Sequence, residues 1–236
     1  MIKPIIRAVV PEKIRNKYHR AVEHKKYQKL RETPYNTYRR FDETESIFIH
    51  IPKAAGISTI KSLYGEKANG IGHRPYTHFI FVYGEETYNR YFKFSFVRNP
   101  WDRLYSAYKF LKKGGISQPD VTFNETTLVH YDTFENFVLE WVNSDNVQTY
   151  FHFIPQHQFI YSPKSELMVD FVGRFENLNE DYEKIREKIG TGEPLKHLNK
   201  TKDKKESDYR EVYTPEMAEK VAQVYKKDIE LFGYSF

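Results

Sequence analysis

The chain has no cysteine among its 236 residues and only three methionines. Disulfides and thiolate metal sites are therefore excluded, and the composition suits a reducing compartment. No apolar run approaches the roughly 18 residues that a membrane-spanning helix needs. The opening stretch MIKPIIRAVVPEK is too charged, and its apolar part too short, for a secretory signal. The GxxxxGK[ST] spacing is also missing, which removes the common nucleotide triphosphatase loop. There is no internal repeat and no low-complexity tract.

Aromatic residues are abundant: 17% of the chain is Phe, Trp or Tyr, within a hydrophobic content of only 39%, so Tyr and Phe must carry much of the packing. The length is that of one domain, with or without a tail. Charge is unevenly spread. Residues 1–40 hold 12 Lys/Arg against 3 Asp/Glu, and the remainder holds 25 against 29, so the overall +5 belongs to an N-terminal arm. We read residues 1–43 as a basic helical arm and 44–236 as a single domain. Such an arm suits an anionic membrane surface or another polyanion, or merely a solvated helix.

The organising stretch is Ser46–Thr59, SIFIHIPKAAGIST. Ile47 to Ile51 read as a buried strand. Lys53, Ala54, Ala55, Gly56 and Ile57 follow as a tight loop, and Ser58 and Thr59 open a helix that continues to Tyr64 and stops at Gly65. Small residues leading into a helix N-terminus leave backbone N–H groups free, reinforced by the positive end of the helix dipole. Lys53 adds a mobile charge, and the two hydroxyls add donors. Taken alone, this is either an anion site or an ordinary strand–turn–helix.

A second block, 93–111, repeats the pattern. Phe94 to Val97 read as a strand, Asn99 as an N-cap, and Pro100 as the first helical residue. Trp101, Leu104, Tyr108 and Leu111 form a core-facing stripe. Arg98 falls at the strand's C-terminal end, where open α/β sheets bind ligands, and Ser106 lies on the helix that follows. Arg98 could equally be paired with Asp102 to fix the turn.

Elsewhere the periodicity predicts helices over 12–32, 85–91, 131–141, 178–189 and from Thr214 to Phe232, and a third strand over 169–175. Residues 77–83 fit either strand or helix. The stretch 114–127 reads as a polar connection, and 196–210 as a charged loop with five lysines. Strands alternating with helices imply an α/β fold with a mostly parallel central sheet flanked by helices.

HIPKAAGIS followed about 40 residues later by FVRNPWDRLYSAY resembles the paired signature blocks of the carbohydrate sulfotransferases. VDFVGRFENLNEDYEKI and YTPEMAEKVAQVYKKDIELFGYSF are similar to that family's later parts. The resemblance covers about residues 44–236 and implies a P-loop-like nucleotide-binding fold. It also implies transfer of the sulfuryl group of 3′-phosphoadenosine 5′-phosphosulfate (PAPS) to a hydroxyl of a carbohydrate or related acceptor. In that reading Lys53 and the loop Ala54, Ala55, Gly56, Ile57, Ser58 and Thr59 hold the 5′-phosphosulfate, and Arg98 with Ser106 holds the 3′-phosphate. His73, in the GHRPYTHF context where the family places a histidine, is the expected base, ahead of His78. His50 is expected to be structural.

No metal ligand cluster is visible, and the expected transfer is metal-independent. The animal members carry a membrane anchor and disulfides; their lack here points to a cytoplasmic bacterial or viral enzyme, membrane-peripheral through its arm, with nucleic acid not expected as a partner. The alternatives are a nucleotide-dependent phosphoryl transferase and a non-catalytic polyanion-binding module. The lysines at 200, 202, 204 and 205 could close over a nucleotide.

Overall fold

The computed structural model describes residues 12–68, 71–196 and 208–236. Asn69-Gly70 and the lysines at 200, 202, 204 and 205 lie outside the described residues, as does most of the opening apolar stretch. Three strands form one parallel sheet in the order β1 (Ser46–Ile49), β2 (Phe92–Val97), β3 (Phe171–Arg174). Ile49 lies opposite Ser95, and Val97 opposite Arg174, so all three chains leave the sheet at the same edge. This is the arrangement in which the two sequence blocks become neighbours.

Helices flank the sheet. Among the described residues, the first seven in chain order are α1 (Glu12–Glu32), α2 (Thr37–Thr44), α3 (Gly56–Tyr64), α4 (Tyr76–Tyr83), α5 (Glu85–Arg90), α6 (Pro100–Lys112) and α7 (Gln118–Thr126). After β3 come α8 (Leu178–Ile189), α9 (Pro215–Val224) and α10 (Lys226–Phe232). Strands buried on both faces need apolar residues at consecutive positions. Phe48, Phe94 and Phe96 accordingly have no exposed surface. Burying each such side chain contributes about 1.5–3 kcal/mol. A second core lies under α6, where Trp101, Leu104, Tyr108 and Leu111 meet Phe137, Phe153 and Val221.

Several expectations change. The ambiguous segment 77–83 is helical, within α4. The stretch 114–127 is not simply a connection: it contains α7, whose start is fixed by Ser117 and Asp120. Ser117 donates from both its amide and its hydroxyl to Asp120 Oδ2, at 2.9 and 2.8 Å. That S-x-x-D signal was hidden by the neighbouring Gly114-Gly115 and Pro119. The segment 131–141 narrows to a short helix, Phe134–Asn136, continuing as a π turn, Phe137–Trp141. The expected single closing helix breaks at Tyr225, whose hydroxyl donates to the Phe153 carbonyl at 2.7 Å.

The arm is also more deeply engaged than its charge suggests. Tyr38 and Phe41, on the arm side of the boundary read at 43/44, sit in the main core, and Tyr27 and Leu30 of α1 pack against it. Gln28 of α1 donates to the Val82 carbonyl at 2.7 Å. Among the described residues, no helix is long and apolar enough to cross a membrane.

Candidate active site

The loop between β1 and α3 is held in a conformation that its residues do not favour. Lys53 and Ala55 both have left-handed backbones, with φ of 67° and 62°. Such positions cost about 1–3 kcal/mol each outside glycine and persist only where the surroundings impose them. Two arginines from the second block are part of those surroundings. Arg98 Nη1 donates to the Lys53 carbonyl at 3.2 Å, and Arg103 Nε to the Pro52 carbonyl at 3.0 Å. With these carbonyls engaged, the first amides of α3 are left without intrahelical partners. Ala55 caps the helix with no side-chain bond, so the positive end of α3 is open to an anion.

Lys53 is largely buried. Burial, followed by the charge of Arg98, lowers its pKa to about 8. Its ammonium lies 4.1 Å from the centre of the Phe110 ring, a contact that retains some stabilisation of the charge. Of the loop residues named from sequence, Ile57 is exposed and Ser58 is nearly buried. Thr59 differs from expectation: fully buried, its hydroxyl donates to the Ala55 carbonyl at 3.1 Å and so serves its own helix.

Arg98 makes the pairing with Asp102 that was the alternative to a ligand-binding role. It pairs bidentately with Asp102, Nε to Oδ2 at 2.7 Å and Nη2 to Oδ1 at 2.8 Å. Its Nη1 reaches Ser106 Oγ at 3.3 Å, so strand end and helix do converge. The guanidinium also stacks on Phe175, 3.9 Å from the ring centre. Gln156, fully buried, accepts from the Arg98 amide at 2.9 Å and donates to its carbonyl at 2.8 Å. Gln156 is in turn fixed by the buried carboxylate of Asp228 on α10, which accepts from its amide at 2.6 Å. Arg98 opens into a cleft of about 200 Å³ lined by Asp102, Tyr105, Lys109, Phe175, Asp208 and Tyr209. A larger hollow of about 280 Å³, bordered by Tyr35, Arg40, Tyr64 and Lys67, lies at the other end of α3. There the helix presents carbonyls, which disfavour an anion.

The histidines separate clearly. His73 Nδ1 lies 3.3 Å from the His50 carbonyl. Donation to that carbonyl places the proton on Nδ1 and leaves Nε2 as a lone pair. Burial is the main reason its pKa falls to about 4, with the charges of Arg103 and Lys53 adding to the effect. The ring is therefore neutral near pH 7. His78 instead faces the core: its Nε2 is 2.8 Å from the Tyr38 hydroxyl and its ring packs edge-on against Tyr27. His50 is buried beside His73, ring centres 4.3 Å apart, and its imidazole fills the space over Gly56.

Sequence reasoning did not single out Asp120, Phe110 or Phe151, and took His152 in the aromatic stretch 150–160 for a packing or hydrogen-bonded residue. His152 and Asp120 are paired at 3.1 Å, and the Phe151 ring stacks on His73 with centres 5.0 Å apart. For Phe151 and His152 the signal was the aromatic density of 150–160, which does not distinguish core from cleft.

Fold and site together define an α/β protein that gathers Lys53, Arg98 and a helix N-terminus at one edge of a parallel sheet. The sequence profile of the Sulfotransferase family matches residues 73–235, more than half of the chain, and the chain belongs to that family. The matched span begins at His73, so the Lys53 loop lies just before it. An uncharacterized protein of Archaeoglobus fulgidus is 32% identical over 114 residues, covering 48% of this chain and 78% of the relative. No solved structure matches significantly.

Proposed function

We propose that the chain transfers a sulfuryl group from PAPS to a hydroxyl of a carbohydrate or related acceptor, with His73 as general base. The observation that carries this reading is the contact between the two blocks. Arg98 Nη1, beside Ser106, reaches the carbonyl of Lys53, so two anion-binding groups stand side by side at one sheet edge. A nucleotide with phosphates at two separate positions suits such a pair better than a single phosphate would.

PAPS, when bound, supplies an activated sulfuryl group whose departure leaves negative charge on a phosphate. Lys53 and the first amides of α3 would hold that end, and they are preorganised to stabilise the charge as it develops. Arg98, Ser106 and the cleft bearing Tyr105, Lys109 and Tyr209 would hold the 3′-phosphate. Asp102 already satisfies two donors of Arg98, so the arginine acts there as a fixed, partly neutralised donor with Lys109 supplementing it. His73 Nε2, unprotonated, would accept the acceptor's proton as the new bond forms. Its low pKa keeps the base available at neutral pH and limits its strength. A phosphoryl transferase finds less support, since the loop lacks the magnesium-holding residues such an enzyme places after its lysine.

Calorimetry with adenosine 3′,5′-bisphosphate tests the reading. Wild-type protein is expected to bind it, with Lys53→Ala and Arg98→Ala each weakening the affinity. Absence of binding to the wild type sinks the proposal.

A further inference from the structure

The Asp120–His152 pair is more elaborate than a core contact requires. Asp120 Oδ2 accepts from the amides of Ile116 and Ser117 at 3.1 and 2.9 Å and from the Ser117 hydroxyl. Its Oδ1 accepts from the Tyr150 hydroxyl at 2.5 Å and lies 3.1 Å from His152 Nε2. Gly115, with φ of 63°, leaves room for this carboxylate: a Cβ there would come within 2.2 Å of Asp120 Cβ. Burial works to raise the Asp120 pKa, but the bonds from Tyr150, Ile116 and Ser117 outweigh it and hold the group well below the usual carboxylate range. An ionised Asp120 only accepts, so Nε2 must carry the His152 proton.

That leaves Nδ1 of His152 as a bare acceptor. It is buried, on a residue 5% exposed, and has no hydrogen-bond partner. A buried polar atom without a partner costs about 1–3 kcal/mol. The ring lies 5.7 Å from His73 and 5.2 Å from Phe110, the same ring that Lys53 overhangs. Half-buried Phe151 stacks on His73 and contacts His152, with centres 5.0 and 4.3 Å away. Its ring thus lies against both imidazoles.

We propose that His152 is a second hydroxyl-binding residue of the site, held by Asp120 as an acceptor for a hydroxyl adjacent to the one presented to His73. This rests on His73 having the role given above. The ligand class is a molecule with two neighbouring O–H groups, since two acceptor nitrogens need two donors.

The test is imidazole ¹⁵N NMR on the full chain near pH 7, with and without adenosine 3′,5′-bisphosphate, using trans-1,2-cyclohexanediol and cyclohexanol as probes. We expect His152 to carry its proton on Nε2. The diol should shift His152 Nδ1 together with His73 Nε2, whereas cyclohexanol should shift His73 alone. Asp120→Asn should invert the His152 tautomer. The side-chain oxygen must stay on the two amides, which turns the NH₂ toward Nε2. The diol response at His152 should then vanish. If that variant does not fold, the wild-type spectra alone decide. A proton on Nδ1 in the wild type overturns the proposal, as does a His152 signal unmoved by the diol. A His152 response in a chain that binds no nucleotide supports this proposal and sinks only the donor reading.

Discussion

The imidazole of His50 occupies the space that a side chain on residue 56 would need. A Cβ added to Gly56 would come within 1.8 Å of that ring. The loop that carries Lys53 is thus pressed against a histidine on the strand before it, and the same histidine offers its carbonyl to His73.

Gly56→Ala should therefore displace either the loop or His50. Overpacking of this kind costs about 1–3 kcal/mol. A thermal melt should show the loss, and bisphosphate binding should weaken further than an equally destabilising core substitution elsewhere. Wild-type binding in Gly56→Ala would show that the contact does not set the loop.

His73→Ala should leave nucleotide binding intact and lower turnover by about 10²–10⁴-fold, the usual contribution of a general base. His78→Ala should instead lower the melting temperature through loss of its Tyr38 bond, with turnover per folded molecule unchanged. Exchanged phenotypes would reassign the base to His78.

Lys53 should make anion binding sensitive to alkali. With its pKa near 8, the cation is present below that value and lost above it. Bisphosphate affinity should decline as pH rises through about 8, and Lys53→Arg, which stays charged, should flatten the profile. A profile unchanged by that substitution would place the titration elsewhere.

Acid should destabilise the fold well before its carboxylates titrate. Burial lowers the pKa of His73 and His78 to about 4 and of His152 to about 3, and moves His50 in the same direction. Below about 6.5 the unfolded chain therefore binds protons that the folded chain refuses, so stability is full above that pH and falls beneath it. Each group contributes about 1.4 kcal/mol per pH unit between its unfolded and folded values. Urea midpoints at pH 7.5, 6 and 5 should drop steeply; a constant midpoint would contradict the burial of these rings.

The positions of Lys53, Arg98 and Ser106 on strand–turn–helix units were legible because such units announce themselves through apolar runs, small residues and a proline at the first helical position. Their mutual contact was not, since sequence does not state which strands pair. Asp120 and His152 come together across 32 residues, and the glycines and proline beside Asp120 read as a loop. The bond of Thr59 to the Ala55 carbonyl was not legible because a hydroxyl in the first turn of a helix can serve a ligand or its own backbone equally well. The core role of Tyr38 was masked by surrounding charge: two of its neighbours are Arg39 and Arg40, whose side chains pair with Glu43.

The link from Asp228 through Gln156 to Arg98 ties the end of β2 to a helix far along the chain. Removing α10 would therefore leave the sheet's strands in the sequence but take away the carboxylate that grips the backbone at Arg98.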